Sequence, residues 1–166
     1  VVEYLYKNKF VWEKDLGSLT MTELNLHNIT THKGEALASI RSDKTALQAF
    51  SILHEKHISG LPVVDDHNRL VANVSVQDLK EIGHDASDFK VIHEPLLEYL
   101  KHAHSQKKFR LFSSDKPVHF HGKETLSEMF EKIHKNRVHR IYYVDSHDHL
   151  FGVVTLGDLL KFFLNH

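Results

Sequence analysis

The sequence predicts a mixed α+β fold made of two copies of one β-α-β-β-α unit, packed around a pseudo-two-fold axis. Three observations carry this. Residues 45–82 lie over residues 125–162 without a gap, at an offset of 80. In each copy, apolar residues at helical spacing give way to two short apolar runs split by a polar turn. One copy alone is too small to bury two helices and a three-stranded sheet, so two copies face to face would share a core.

The elements follow in order. The first 30 residues carry Tyr4, Tyr6, Phe10 and Trp12, which reads as a helix end docking on a core or as an ordered linker. A short strand is expected in ALASI at 36–40. Ala46, Ala49, Phe50 and Leu53 then form a helical stripe, which Lys56-His57 breaks. LPVV and LVANVS flank Asp65-Asp66-His67-Asn68, a polar turn and hence a hairpin, and a helix starts at Val76. HEPLLEYLKHAH offers Pro95 at a first helical position, with Leu96, Leu97 and Leu100 on one face.

The second copy repeats the order. PVHFH at 117–121 supplies the short strand, and Leu126, Met129, Phe130 and Ile133 the stripe. IYYV and LFGVVT flank Ser146-His147-Asp148, and Leu156 opens the last helix. The chain is therefore divided into a lead-in (1–30), repeat one (31–93), a connecting helix and loop (94–116) and repeat two (117–166).

Composition excludes several classes of function. Hydrophobic residues make up 41% and charged residues 26% of the 166, which is ordinary for a globular protein. A net charge of -1 gives no global field for nucleic acid or an anionic membrane. The absence of cysteine removes disulfides and thiol chemistry and fits a reducing compartment, so the expected location is the cytoplasm or nucleus. No apolar run approaches the roughly 20 residues that span a bilayer. The start VVEYLYKNKF has neither methionine nor a signal pattern and reads as a piece of a longer polypeptide. The triplets Asn28-Ile29-Thr30 and Asn73-Val74-Ser75 read as chance glycosylation matches.

Histidine is abundant, at 16 residues. The pairs His102/His104, His119/His121 and His147/His149 have the spacing of one strand face, which could suit zinc or copper. No third ligand is tied to any pair, so no metal is expected. No nucleophile elbow, glycine-rich dinucleotide loop or phosphate loop is present, so the chain is not expected to be an enzyme.

The most informative motif occurs twice. Ser75-Val-Gln-Asp78 and Thr155-Leu-Gly-Asp158 each place a hydroxyl three residues before an acid, at a strand-to-helix turn. One explanation is a capping box in which the acid satisfies free amides, worth about 1 kcal/mol. The other is a carboxylate that accepts two hydrogen bonds from a vicinal diol, with phosphate favoured near the helix start. His139-Arg140 stands where repeat one has Ser59-Gly60, and arginine can chelate phosphate bidentately.

At SGLPVVD…VSVQD and VHRIYYVD…GVVTLGD the chain resembles a pair of cystathionine β-synthase (CBS) domains, a Bateman module, from about residue 30 onward. ISGLPVVD, VHRIYYVD and LFGVVTLGDLLKF are similar to the C-terminal module of the AMP-activated protein kinase γ subunit, and the lead-in VVEYLYKNKF is similar to the helix that closes a preceding module in that family. LVANVSVQDLK and VHFH are also similar to a fungal tandem-CBS family of stress regulators. The resemblance implies that AMP, ADP or ATP binds in clefts between repeats, with aspartates on ribose hydroxyls. One cleft would combine Thr155 and Asp158 with Ala38 and Ser59. The other would combine Asp78 with His139 and Arg140 as phosphate contacts. Arg110 matches a further phosphate-binding arginine of that family. Gly157 and Lys33 depart from the γ pattern, which has serine and threonine there. Implied partners are kinase catalytic and scaffold subunits, a second Bateman module or a homodimer mate. The alternative is an interaction scaffold for a kinase or phosphatase that binds no nucleotide.

Overall fold

The computed structural model describes residues 2–8, 12–20, 23–24, 37–79, 88–105 and 116–164. Arg110, Lys33 and the Asn28 triplet lie outside the described residues. The chain forms two compact units: Ala38–Lys116, and Val1–Leu37 together with Pro117–His166.

In the first unit, strand β1 is Ile40–Arg41, helix α2 Ala46–Glu55, strand β2 Gly60–Val64, strand β3 Leu70–Ser75 and helix α3 Val76–Leu79. β1 pairs parallel with β2, and β2 pairs antiparallel with β3. A 3-10 turn (Asp88–His93) and helix α4 (Leu96–Ser105) complete it. In the second unit, β4 is His119–Phe120, α5 Leu126–Asn136, β5 Arg140–Val144, β6 Leu150–Thr155 and α6 Leu156–Leu164. Its sheet has the same order and the same strand directions.

The duplication reaches the backbone. Among the described residues, the left-handed residues other than glycine come in pairs 80 apart: His57 with Arg137, and Asn68 with Asp148. The first pair ends the helical stripes and the second closes the hairpins, where αL geometry reverses the chain. Both hairpins also shift register at one matching place, Val63/Val64 and Tyr143/Val144. Each long helix of a repeat opens on a capping box, Thr45 with Gln48 and Thr125 with Glu128. These boxes were readable as T-x-x-Q and T-x-x-E, and each contributes about 1 kcal/mol by satisfying orphan amides.

The expected short strands are shorter than ALASI and PVHFH suggest, at two residues each. Each pairs with only one neighbour, so little ladder extends it. Pro95 sits one residue before the start of α4, and its carbonyl accepts from the Glu98 and Tyr99 amides. Leu96 and Leu100 are buried as expected, and Tyr99 and Ala103 join them. Asn73 lies half-buried in β3, paired with Pro62, a poor place for a glycan.

The lead-in docks on repeat two. Helix α1 (Val2–Lys7) and a π-helical turn (Glu13–Gly17) pack on α5. Trp12, only 8% exposed, lies 5.0 Å from Phe130 and 5.3 Å from Phe163, ring centre to ring centre. Tyr6 stacks on His134 at 3.8 Å, and Glu3 bonds the same imidazole at 2.9 Å. The Leu126 amide donates to the Leu19 carbonyl. The buried Trp12 indole is what carries this segment into the core, because aromatic burial dominates such contacts.

Candidate functional site

Each repeat builds one end of its sheet into a polar turn. In repeat one, β3 ends at Ser75 and α3 starts at Val76. The Ser75 amide and hydroxyl both donate to Oδ2 of Asp78, at 2.8 Å each. The Val76 amide donates to the Ser59 carbonyl at 3.2 Å. Gly60 pairs with Ser75 across the strands, which fixes Ser59 beside the turn. Ala38 precedes β1, which runs parallel to β2, so it stands at the same end of the sheet. Ala38, Ser59 and Asp78 thus share one edge of one unit.

Repeat two does the same with Thr155. Its amide and hydroxyl donate to Oδ2 of Asp158 at 2.8 and 2.6 Å, and the Asp158 amide donates back to the hydroxyl at 3.2 Å. The Leu156 amide donates to the His139 carbonyl at 3.1 Å, and Arg140 pairs with Thr155. His139 is exposed and Arg140 half-buried. Arg140 is tethered as well. Burial drives the phenol of Tyr142 far above its ordinary range, and the charge and hydrogen bond of Arg140 oppose that rise. His139, Arg140, Thr155 and Asp158 therefore converge on one edge of the second unit.

Both aspartates are buried, Asp78 at 3% and Asp158 at 6% exposure. A buried carboxylate needs strong partners, and here each takes two donors on one oxygen. The capping explanation is realised. It does not exhaust the group. Among the described residues Oδ1 of Asp158 accepts no hydrogen bond, and it is not one of the buried atoms lacking a partner. The two bonds to Oδ2 hold the carboxylate, and with it Oδ1, in one position. A carboxylate so held is pre-organised to accept hydroxyl donors. A side chain at Gly157 would meet only Thr155 Oγ1, at 3.5 Å, so the missing serine is not enforced by space.

Among the described residues no group of three or more ligand side chains is set for an ion. His102 lies on helix α4, where two-residue spacing diverges rather than sharing a strand face. His147 and His149 belong to the β5–β6 turn and are organised by Asp145. The Asp145 carboxyl is held down to about 2: burial raises it, but His149's side chain and the amides of His149 and His147 outweigh this. A lowered carboxyl stabilises the fold above the unfolded value and loses that contribution as pH falls through the folded one. Acid titration followed by circular dichroism should therefore show wild type losing stability from about pH 4 toward pH 2. Asp145→Asn should lack this component and converge with wild type at the acid end.

Comparison with known proteins fits this architecture. The family model for the CBS domain matches twice, at residues 33–85 and 110–165. The chain belongs to the CBS-domain family, as a tandem pair. It is 24% identical to Protein SDS23 of Kluyveromyces lactis over 187 aligned positions, covering 100% of this chain and 36% of that protein. It is 27% identical to the SNF1-related protein kinase regulatory subunit gamma-1 of Arabidopsis thaliana, covering 90% of this chain and 36% of that one. The chain thus spans about a third of the length of these relatives. Its fold matches CBSX2 solved in complex with AMP (TM-score 0.58, 22% identity, 84% of this chain and 95% of that chain). It also matches the CBS pair of MJ0100 solved with 5′-methylthioadenosine and S-adenosyl-L-methionine (TM-score 0.56, 18% identity, 84% and 94%). No helix among the described residues is long and apolar enough to cross a membrane.

Proposed function

We propose that this CBS pair is a non-catalytic regulatory module that senses adenosine nucleotides. The observation that carries the proposal is the Asp158 turn, with one oxygen spent on the cap and the other unpaired among the described residues. The ribose diol belongs to the adenosine that AMP and S-adenosylmethionine share, and structures of this fold have been solved with each. AMP, ADP or ATP is the ligand class. Asp78 and Asp158 accept ribose hydroxyls, His139 and Arg140 hold phosphate, Thr155 and Ser59 line the sugar, and Ala38 lies against the base. Arg110 is assigned to phosphate on the sequence match alone. Binding biases the surface offered to a partner only by its differential affinity for two states. Partners in this reading are kinase catalytic and scaffold subunits, a second Bateman module or a second copy, in the cytoplasm or nucleus.

A scaffold that binds no nucleotide is the second reading, favoured by Gly157 and by the completed caps. Calorimetric titration with AMP, ADP, ATP and S-adenosylmethionine separates the two. The sensor requires saturable heat, and a ligand at 100 times its Kd should raise stability by about 2.7 kcal/mol. Absence of heat and of any thermal shift with all four would leave the scaffold.

A further inference from the structure

The Asp78 turn is held from outside its own repeat pattern. Tyr99 of α4, 21 residues along the chain, donates its hydroxyl to the Asp78 carbonyl at 2.5 Å in a buried contact. Tyr99 is 2% exposed and its ring meets Phe50 of α2 edge-on at 5.6 Å. The helix that carries it is itself fixed to repeat one. The Leu96 amide donates to the Lys44 carbonyl at 2.8 Å, and Thr45 bridges to Pro95.

We propose that Tyr99 is a positioning residue for Asp78. Its hydroxyl holds the main chain of the residue whose carboxylate the proposed function uses, which makes α4 part of repeat one's ligand response. This rests on the nucleotide reading for its purpose but not for its geometry. By reciprocity, a ligand that tightens on Asp78 strengthens the Tyr99 hydroxyl bond, and loss of that one bond weakens binding at Asp78 by the same factor.

The test uses Tyr99→Phe in the whole chain, which keeps the ring and removes the hydroxyl. In an Asp158→Asn background, AMP affinity should fall about fivefold on adding Tyr99→Phe, the scale of one neutral hydrogen bond. In an Asp78→Asn background it should not change. Amide exchange at Ser75, which is bonded to Asp78, should quicken by a similar factor, with Thr155 unaffected. Leu97→Ala, on the same helix, serves as a control for general loosening. Unchanged exchange at Ser75, equal losses in both backgrounds, or the same effect from Leu97→Ala would each overturn the proposal. If wild type binds no adenosine ligand, the function reading fails while the Ser75 exchange still decides the role of Tyr99.

Discussion

Asp158→Asn is expected to weaken AMP binding by about 10- to 100-fold while leaving repeat two folded. The expectation follows from the two oxygens. Oδ2 accepts the Thr155 amide and hydroxyl, and Oδ1 accepts no hydrogen bond among the described residues. Asparagine keeps one carbonyl oxygen, which can still take the Thr155 amide. The amide nitrogen that replaces Oδ1 cannot accept a hydroxyl proton, so the whole charge-assisted bond is lost, about 1.5–3 kcal/mol. Asp158→Ala removes both functions, so it should lose binding and also about 1 kcal/mol of stability through the cap. Calorimetry and urea melts on the two variants therefore separate ligand from fold. Asparagine binding AMP as tightly as wild type would assign the aspartate to capping alone.

Trp12→Ala should cost about 3–5 kcal/mol, the range for truncating a buried aromatic side chain. Trp12 packs on both Phe130 and Phe163, and so joins the lead-in to both helices of repeat two. Its loss also releases the neighbouring ties, the Ser127–Glu13 bond at 3.0 Å and the Leu126–Leu19 backbone bond at 2.9 Å. Urea unfolding should show a lower midpoint. Amide exchange should place the loss at Ile141 and Val154 rather than at Val63 and Val74, because those belong to the other unit. A loss below about 1 kcal/mol would make the lead-in a passive linker.

Most of the architecture was legible because the sequence states it twice. A helical stripe that is ambiguous at Ala46 and Ala49 is confirmed by Leu126 and Met129 eighty residues on, and the hairpin turns repeat likewise. The two short strands were legible in place but not in length, since ALASI and PVHFH are extended runs whose pairing depends on a neighbour, not on their own pattern. The strand-face reading of His102 failed for a local reason: the stripe from Leu96 to Leu100 already specified a helix there, and the helical period wins. Tyr99 was not among the residues that the helical stripe picked out. Its hydroxyl matters because of a partner 21 positions away, and periodicity records no such contact. The chemistry of the aspartates was half legible. Sequence offered cap or ligand as rivals, whereas the folded turn assigns the cap to one oxygen and leaves the other out of it.

The most direct test is a crystal structure of the chain grown with AMP. The account predicts ribose hydroxyls within hydrogen-bond distance of Oδ1 of Asp158, with Oδ2 still held by Thr155. Crystals that show no nucleotide at either turn, despite saturating AMP, would contradict it.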